Sequence, residues 1–141
     1  MAAIGRIELV VPAAVIDLNG HVNNVQYLQW MQEAAMAHSA EMGWPQERYA
    51  EIDRTWIIRS HTIEYLHSAF AGDTLTLYTW VSSFEKFRSL RRYKFLRPAD
   101  QTVLATAATV FIFCDLRTGR PLSIPSEVRQ AYTVVAPADE P

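Results

Sequence analysis

Cysteine, long apolar runs and an excess of charge are all scarce in this sequence. Cys114 is the single cysteine among 141 residues, so an intrachain disulfide is excluded and a reducing compartment is indicated. No apolar run approaches the roughly 18 residues of a membrane-spanning helix. The N-terminal stretch 1–16 has Glu8 within it and no cationic start, which argues against a signal peptide. We therefore expect a cytoplasmic protein with no membrane partner.

The charge balance excludes another class of protein. There are 13 Lys and Arg residues against 15 Asp and Glu, a net charge of −2, so the basic excess of a general nucleic-acid binder is missing. Half of the residues are hydrophobic, and a chain of this length buries roughly 70% of its unfolded surface. We expect one domain over residues 1–135 and a flexible tail over residues 136–141.

The order of the predicted elements indicates an α+β domain. A short strand at 5–11 precedes a long helix at 25–42, whose apolar residues recur at spacings of three and four. That helix is apolar around much of its circumference, so we expect it to be enclosed. Four strand-like segments follow at 56–66, 74–81, 88–97 and 103–114, the last of them central and buried on both faces, and a short helix ends near residue 132. An antiparallel sheet wrapped around one long helix satisfies this pattern, and its open edge favours pairing with a second copy.

The turn before the long helix is the most informative segment. It gathers a carboxylate, a histidine and three carboxamides around one glycine: Asp17, Asn19, Gly20, His21, Asn23 and Asn24. Asn23 or Asn24 can cap the helix. Free backbone N–H groups at a helix start carry a partial positive charge, which suits a carbonyl oxygen that becomes negative during a reaction. The segment therefore predicts a catalytic loop that leads into a helix.

The same segment carries a longer pattern that extends over nearly the whole chain. It consists of Asp17-x-x-Gly20-His21-Val22-Asn23-Asn24-x-x-Tyr27-Leu28, then Trp30 and Glu33, Ile63-Glu64-Tyr65, Gly72-Asp73 and Asp115-x-x-Thr118-Gly119-Arg120-Pro121. This pattern resembles the hotdog-fold thioesterases, in particular the 4-hydroxybenzoyl-CoA thioesterase and acyl-CoA thioester hydrolase group. The resemblance implies a hotdog fold and the hydrolysis of an acyl-CoA to a carboxylic acid and CoA, with no cofactor.

The resemblance also assigns roles within the loop. It makes Asp17 the catalytic carboxylate, as a nucleophile or as a general base on water, whereas the residues alone leave equal room for a turn-capping aspartate. It makes the backbone N–H of Asn24 the oxyanion donor. His21 either acts on water, thioester or leaving thiolate, or holds the loop through hydrogen bonds. Asn19 either orients water or satisfies loop backbone groups, and Glu33 is expected behind the site or in an ion pair.

The sequence allows two interpretations for each candidate substrate contact. The chain's basic concentration lies at 86–97, and CoA phosphates are natural partners for Lys86, Arg88 and Arg92, although a solvated strand face is the usual explanation of such a charge run. Period two places Arg88, Arg92 and Lys94 on one face and Arg91 and Arg97 on the other. Tyr27 either lines an acyl tunnel or belongs to the core. The histidines lack metal-ligand spacing, so no metal is expected.

Three further functions stay open. The loop also resembles that of plant acyl-ACP thioesterases, so an acyl-ACP substrate is an alternative. An (R)-specific enoyl-CoA hydratase uses an aspartate and a histidine from one loop of the same fold, but with a different spacing. A non-catalytic acyl-CoA binding module is the third alternative. In each case we expect a homodimer, with a homotetramer as the alternative assembly, and an active site where two protomers meet.

Overall fold

Five antiparallel strands form one sheet in the computed structural model, which describes residues 3–141. The strands are β1 (Ile4–Val10), β2 (Arg54–Tyr65), β3 (Thr74–Phe84), β4 (Arg88–Arg97) and β5 (Thr102–Asp115), in the spatial order β1-β3-β4-β5-β2. The helices are α1 (Asn24–Glu41), α2 (Gln46–Glu51) and α3 (Ser126–Ala131), with 3-10 turns at Ala13–Val15 and Pro137–Asp139. The predicted α+β class is confirmed. Among these residues, no helix combines the length and apolar character needed to cross a bilayer.

The main core lies between α1 and one face of the sheet. Side chains of β3 and β4 alternate in direction, so Leu75 and Leu77 point to α1, and Phe95 does the same from β4. The ring of Phe95 meets Tyr27 edge-on at 5.0 Å and lies 6.4 Å from the ring of Trp30. Burying each such large apolar side chain contributes about 1.5–3 kcal/mol, which explains why the apolar stripe of α1 is held against the sheet.

Local capping fixes both ends of α1. The side chain of Asn23 accepts a hydrogen bond from the backbone N–H of Val25 at 2.9 Å, so Asn23 is the N-cap. Gly43 ends the helix with φ +88°, a conformation that favours glycine. The expected enclosure of this helix is wrong for the single chain, because Val25 and Met36 are about 60% exposed (61% and 60%). Helix α1 is apolar around much of its circumference, as predicted, but the sheet covers only one side of the helix.

Strand β5 lies between β4 and β2, and β1 and β2 form the two edges among the described residues. Burial of β5 on both faces is wrong in part. Its α1-facing residues, such as Thr109, are buried, whereas Thr106, Ala108 and Val110 on the outer face are only half-buried. The outer face of the sheet is therefore less covered than the composition of β5 indicated.

The sequence pattern missed α2 and the position of the C-terminus. Tyr49 of α2 is buried in a second apolar cluster, which also contains Trp44, Phe113 and Tyr132. In the tail, the carboxylate of Glu140 accepts a hydrogen bond from the Trp80 indole N–H at 3.0 Å. The single domain over 1–135 and the flexibility of 136–141 stay predictions, and this contact argues against a freely moving tail.

Candidate active site

A tight turn holds Asp17 directly before α1. Ile16 and Val22 form an antiparallel bridge, and the Asp17 N–H donates to the carbonyl of His21 at 3.0 Å. The N–H of Gly20 donates back to the carbonyl of Asp17 at 3.0 Å. Gly20 has φ +84°, which L side chains rarely adopt, so the glycine is required by the backbone. The turn fixes Asp17 and His21 opposite each other.

The Asp17 carboxylate has one oxygen engaged in the turn. Its Oδ1 accepts a hydrogen bond from the N–H of Asn19 at 2.9 Å, which is the turn-capping role that the sequence left open. Its Oδ2 makes no hydrogen bond with any residue of the described part of the chain. The side chain is half-buried. Asp17 therefore stabilises the turn with one oxygen, while the other oxygen has no partner among the described residues.

The start of α1 leaves one backbone donor unused. The N–H of Val25 bonds to the Asn23 side chain, and the N–H of Gln26 bonds to the Asn23 carbonyl at 3.0 Å. The N–H of Asn24 has no acceptor within residues 3–141. Because the first N–H groups of a helix have no partner inside the helix and carry partial positive charge, this donor suits a developing oxyanion.

A small cavity of about 180 Å³ is lined in part by Asn24. Its walls come from the loop, the first turn of α1 and the segment after β2, and include His21, Asn24, Tyr27, Tyr65 and His67. Burial raises the pKa of Tyr27, which stays neutral. The structure therefore brings His21, Asn24 and Tyr27 together around one space, whereas Asp17 and Asn19 lie in the adjoining turn and do not line it.

The observed positions of Tyr27, Glu33 and His21 can be compared with the roles predicted for these residues. Tyr27 is both core and cavity wall, since it is 3% exposed and its ring also meets Tyr65 edge-on at 5.2 Å. Glu33 is exposed and belongs to none of the ion pairs within residues 3–141, so its expected ion pair is not seen. The ring of His21 packs edge-on against Phe70 at 6.3 Å.

The basic residues of β4 divide as period two predicts. Arg91 faces α1, whereas Arg88 and Arg92 are exposed on the outer face, where acidic side chains lie beside them: Glu85 at 3.6 Å from Arg88 and Glu140 at 3.8 Å from Arg92. Lys86 is exposed in the turn before β4. Lys86, Arg88 and Arg92 do not line the small cavity. Their contact with CoA stays a prediction.

A larger cavity, of about 450 Å³, lies between the C-terminal half of α1, β2 and β4. Most of its wall is aromatic or aliphatic: Ala35, Met36, Trp44, Trp56, Phe84, Tyr93 and Phe111. Three hydroxyl groups form a chain in the same wall, since the Tyr132 hydroxyl lies 2.8 Å from the Ser39 Oγ and 3.0 Å from the Tyr49 hydroxyl. Burial raises the pKa of Tyr49 far above its usual range, so this hydroxyl stays protonated.

Arg91 borders the large cavity and is only 5% exposed. Its Nη1 donates to the Nδ1 of His38 at 3.0 Å and to the Oγ1 of Thr79 at 3.1 Å. A guanidinium only donates, so the Nδ1 of His38 accepts and the ring proton resides on Nε2. Burial lowers the pKa of Arg91, and the nearby tyrosines Tyr93, Tyr132 and Tyr49 oppose that shift. Period two predicts this face for Arg91, but the sequence offered no reason to distinguish Arg91 from the other basic residues of the 86–97 segment.

Other reactive groups are less prominent. Cys114 is buried, and burial followed by the nearby Asp115 carboxylate raises the pKa of its thiol. Within residues 3–141, no cluster of three or more His, Cys, Asp and Glu side chains has the arrangement of a metal site.

Comparison with known proteins identifies the fold. The family model described as the thioesterase-like superfamily matches residues 10–132. Escherichia coli FadM, a long-chain acyl-CoA thioesterase, is 27% identical over 119 residues, which cover 82% of this chain and 86% of FadM. The Synechocystis 1,4-dihydroxy-2-naphthoyl-CoA thioesterase Slr0204 superposes with a TM-score of 0.82 at 20% identity, over 91% of this chain and 94% of that one. Staphylococcus aureus SAV2348, solved in complex with CoA, gives a TM-score of 0.83 at 16% identity, over 91% and 80%. The predicted hotdog fold is confirmed.

Proposed function

This chain belongs to the thioesterase-like superfamily, and we propose that it hydrolyses an acyl-CoA to a carboxylic acid and CoA. Membership confirms the predicted class of enzyme, a thioester hydrolase. The observation that carries the choice of reaction is the unused N–H of Asn24 beside a cavity, with the Asp17 carboxylate in the adjoining turn. FadM and Slr0204 are named for acyl-CoA substrates, and SAV2348 was solved with CoA, which supports CoA as the carrier.

The proposed reaction begins with the thioester carbonyl oxygen at the N–H of Asn24. Either Oδ2 of Asp17 attacks the carbonyl carbon and gives a mixed anhydride that water hydrolyses, or it takes a proton from a water that attacks directly. In both cases a C–O bond forms, the C–S bond breaks, and the thiolate leaves to take up a proton. The negative charge on the carbonyl oxygen is stabilised by the start of α1, a donor of a kind worth about 2.7–4 kcal/mol.

We place the complete site between two subunits. Asp17 does not line the cavity beside Asn24 within one chain, so the carboxylate and the donor would meet when they come from different protomers. The edge strand β2 supports this assembly, since it exposes Ile57, Ile58 and Tyr65 and has a free backbone edge. Pairing of β2 with the β2 of a second copy would also cover the exposed side of α1. Light scattering should report a dimer or a tetramer, and a monomer at all concentrations would contradict this assembly.

The first experiment measures thiol release from a panel of acyl-CoAs for wild type and Asp17→Asn. Asparagine keeps a side-chain oxygen that accepts from the Asn19 N–H, so the turn and the melting temperature should be preserved. Loss of the carboxylate should lower turnover by about 10²–10⁴-fold. Asp17→Ala removes both the carboxylate and the acceptor for the Asn19 N–H, so it serves as the comparison for the melting temperature. If Asp17→Asn turns over like wild type, Asp17 only caps the turn.

The same assay decides among the alternatives. Wild type that releases no thiol from any acyl-CoA would overturn the proposal, and acyl-ACP hydrolysis and enoyl-CoA hydration would be measured next. Acyl-CoA that binds without turnover would identify a binding module. A cytoplasmic location stays a prediction, supported by the expected CoA substrate and by the single cysteine.

A further inference from the structure

The large cavity contains a guanidinium whose hydrogen-bonding capacity is only partly used. Both hydrogen bonds of Arg91 come from Nη1, so Nε and Nη2 have no acceptor within residues 3–141. No fully enclosed polar side-chain atom in that part of the chain lacks a partner. The two nitrogens are therefore not fully enclosed, and the cavity is a space that Arg91 lines.

Arg91 also has no ion-pair partner among residues 3–141. None of the ion pairs among the described residues includes it, and its hydrogen-bond partners, His38 and Thr79, are neutral. A buried cation is costly unless it is paired with an anion. The Nε and Nη2 edge of a guanidinium matches a carboxylate, which it binds through two parallel hydrogen bonds. The cavity is thus suited to a ligand that brings its own carboxylate.

The strand register gives the distance from Arg91 to the catalytic loop. Arg91 pairs with Thr109, and Thr109 pairs with His61, so Arg91 is level with His61 on β2. Tyr65 stands at the loop end of the same strand, where its hydroxyl lies 3.5 Å from the carbonyl of Asn24. Tyr65 is four residue steps along β2 from His61, or about 13 Å. The small and large cavities therefore lie along one seam between α1 and β2, with the catalytic loop at one end and the buried arginine further along.

We propose that the large cavity holds the distal part of the acyl group and that Arg91 binds a terminal carboxylate on it, so that the preferred substrates are CoA monothioesters of long-chain dicarboxylic acids. This inference rests on the proposed thioesterase function. The apolar wall accommodates the methylene chain, and a volume of about 450 Å³ is within the range of ligand pockets. Tyr49 and Tyr132 line the same space as Arg91, and the hydrogen bonds among their hydroxyls and that of Ser39 leave one O–H as a further donor.

The test uses matched pairs of substrates that differ only at the far end of the chain. Thiol release is measured for octanoyl-, dodecanoyl- and hexadecanoyl-CoA and for the CoA monothioesters of the dicarboxylic acids of the same lengths. Wild type should favour the ω-carboxyl substrate in kcat/KM at the length that spans the seam, and not at the shortest length. Equal kcat/KM within every pair, or a preference for the plain chain at every length, would overturn the inference.

Substitutions then locate the preference at Arg91. Arg91→Met, which keeps a long apolar side chain, should lower kcat/KM for the ω-carboxyl substrate about tenfold to a hundredfold, as expected for a hydrogen bond to a charged group, and leave the plain substrate within a few-fold of wild type. Arg6→Met, which removes an exposed arginine from β1, should leave both rates unchanged. An ω-carboxyl preference that survives in Arg91→Met would assign the recognition to another residue.

A binding measurement keeps the inference separate from catalysis and from folding of the variant. Hexadecanedioate should raise the melting temperature of wild type more than its dimethyl ester, which has no carboxylate, does. If wild type hydrolyses no acyl-CoA, the thioesterase proposal fails, and this comparison alone decides whether the cavity binds a terminal carboxylate. If Arg91→Met does not fold, the substrate pairs and the comparison of acid and ester still decide on wild-type protein. No difference between the acid and its ester would contradict the inference.

Discussion

The two ends of α1 border two cavities that are built in different ways. At the N-terminal end, the polar groups come from one continuous stretch, where Asp17, Asn23 and Asn24 are organised by hydrogen bonds within the turn and the cap. At the C-terminal end, the guanidinium of Arg91 depends on His38 and Thr79, which lie far away in sequence. We thus expect the groups that carry out the reaction to come from a local motif. The groups that select the substrate are expected to come from residues brought together by tertiary packing. Substitutions that disturb one end should leave the other end largely intact.

The largest effect is expected from Gly5→Ala, which acts at the C-terminal end. A Cβ at residue 5 would lie 2.8–2.9 Å from three atoms of the His38 side chain, closer than real Cβ contacts allow. Displacing His38 removes its hydrogen bond to Arg91. Overpacking of this kind costs about 1–3 kcal/mol, and the roughly 0.4–1 kcal/mol that alanine gains through the unfolded state offsets only part of it. Urea denaturation measures the loss.

The matched control for Gly5→Ala is Arg6→Ala, the exposed neighbour on β1, which should change stability by less than about 0.5 kcal/mol. If the two ends are independent, Gly5→Ala should reduce the preference for ω-carboxyl substrates while plain octanoyl-CoA is still hydrolysed. Unchanged stability would show that His38 moves aside without cost. Equal losses of activity on all substrates would show that the ends are coupled.

A smaller effect is expected at the N-terminal end from Asn23→Ala. Removal of the side chain that accepts from the Val25 N–H should cost about 0.5–2 kcal/mol. Asn23→Asp, which keeps the acceptor and adds a negative charge at the positive end of the helix, is the control and should retain stability. Because the cap positions the Asn24 N–H, activity should fall by the same factor on plain and ω-carboxyl substrates. A change in their ratio would contradict the separation of the two ends.

The contrast between the two ends also explains what could be predicted from the sequence. The N-cap is Asn23, one of the two asparagines that the sequence left open, and the division of Arg88 and Arg92 from Arg91 was correct. Capping and strand alternation depend on residues close in sequence. The α+β class followed from the order of helical and strand periods. All of these features depend on the helix and strand periods or on residues that are neighbours in sequence.

Features that depend on distant residues were missed. Periodicity identified α1 as apolar on most sides but could not say what covers it, and Met36 is exposed in the single chain. The contact between Trp80 and Glu140 joins residues 60 positions apart, so composition alone made the tail appear loose. Likewise, no spacing rule links His38, Thr79 and Arg91. Only the cavity, which Arg91 lines, distinguishes this residue from the other basic residues of β4.

The smallest expected effect concerns His61, which lies on the α1-facing side of β2 and lines the large cavity. Its Nδ1 is 2.8 Å from the Oγ1 of Thr109, and burial lowers the pKa of His61. With a folded pKa below the unfolded value of about 6.5, the unfolded chain binds more protons in the window between the two values. Above the unfolded pKa, His61 therefore does not reduce the free energy of unfolding. That free energy falls as the pH decreases through the window.

Urea denaturation of wild type and His61→Gln isolates this contribution. Between about pH 7.5 and about pH 5, wild type should lose slightly more stability than the variant, because glutamine does not titrate and the carboxylates common to both proteins cancel in the difference. Parallel pH profiles for wild type and His61→Gln would mean that His61 titrates as in the unfolded chain and that the seam between the two cavities is open to water at that position.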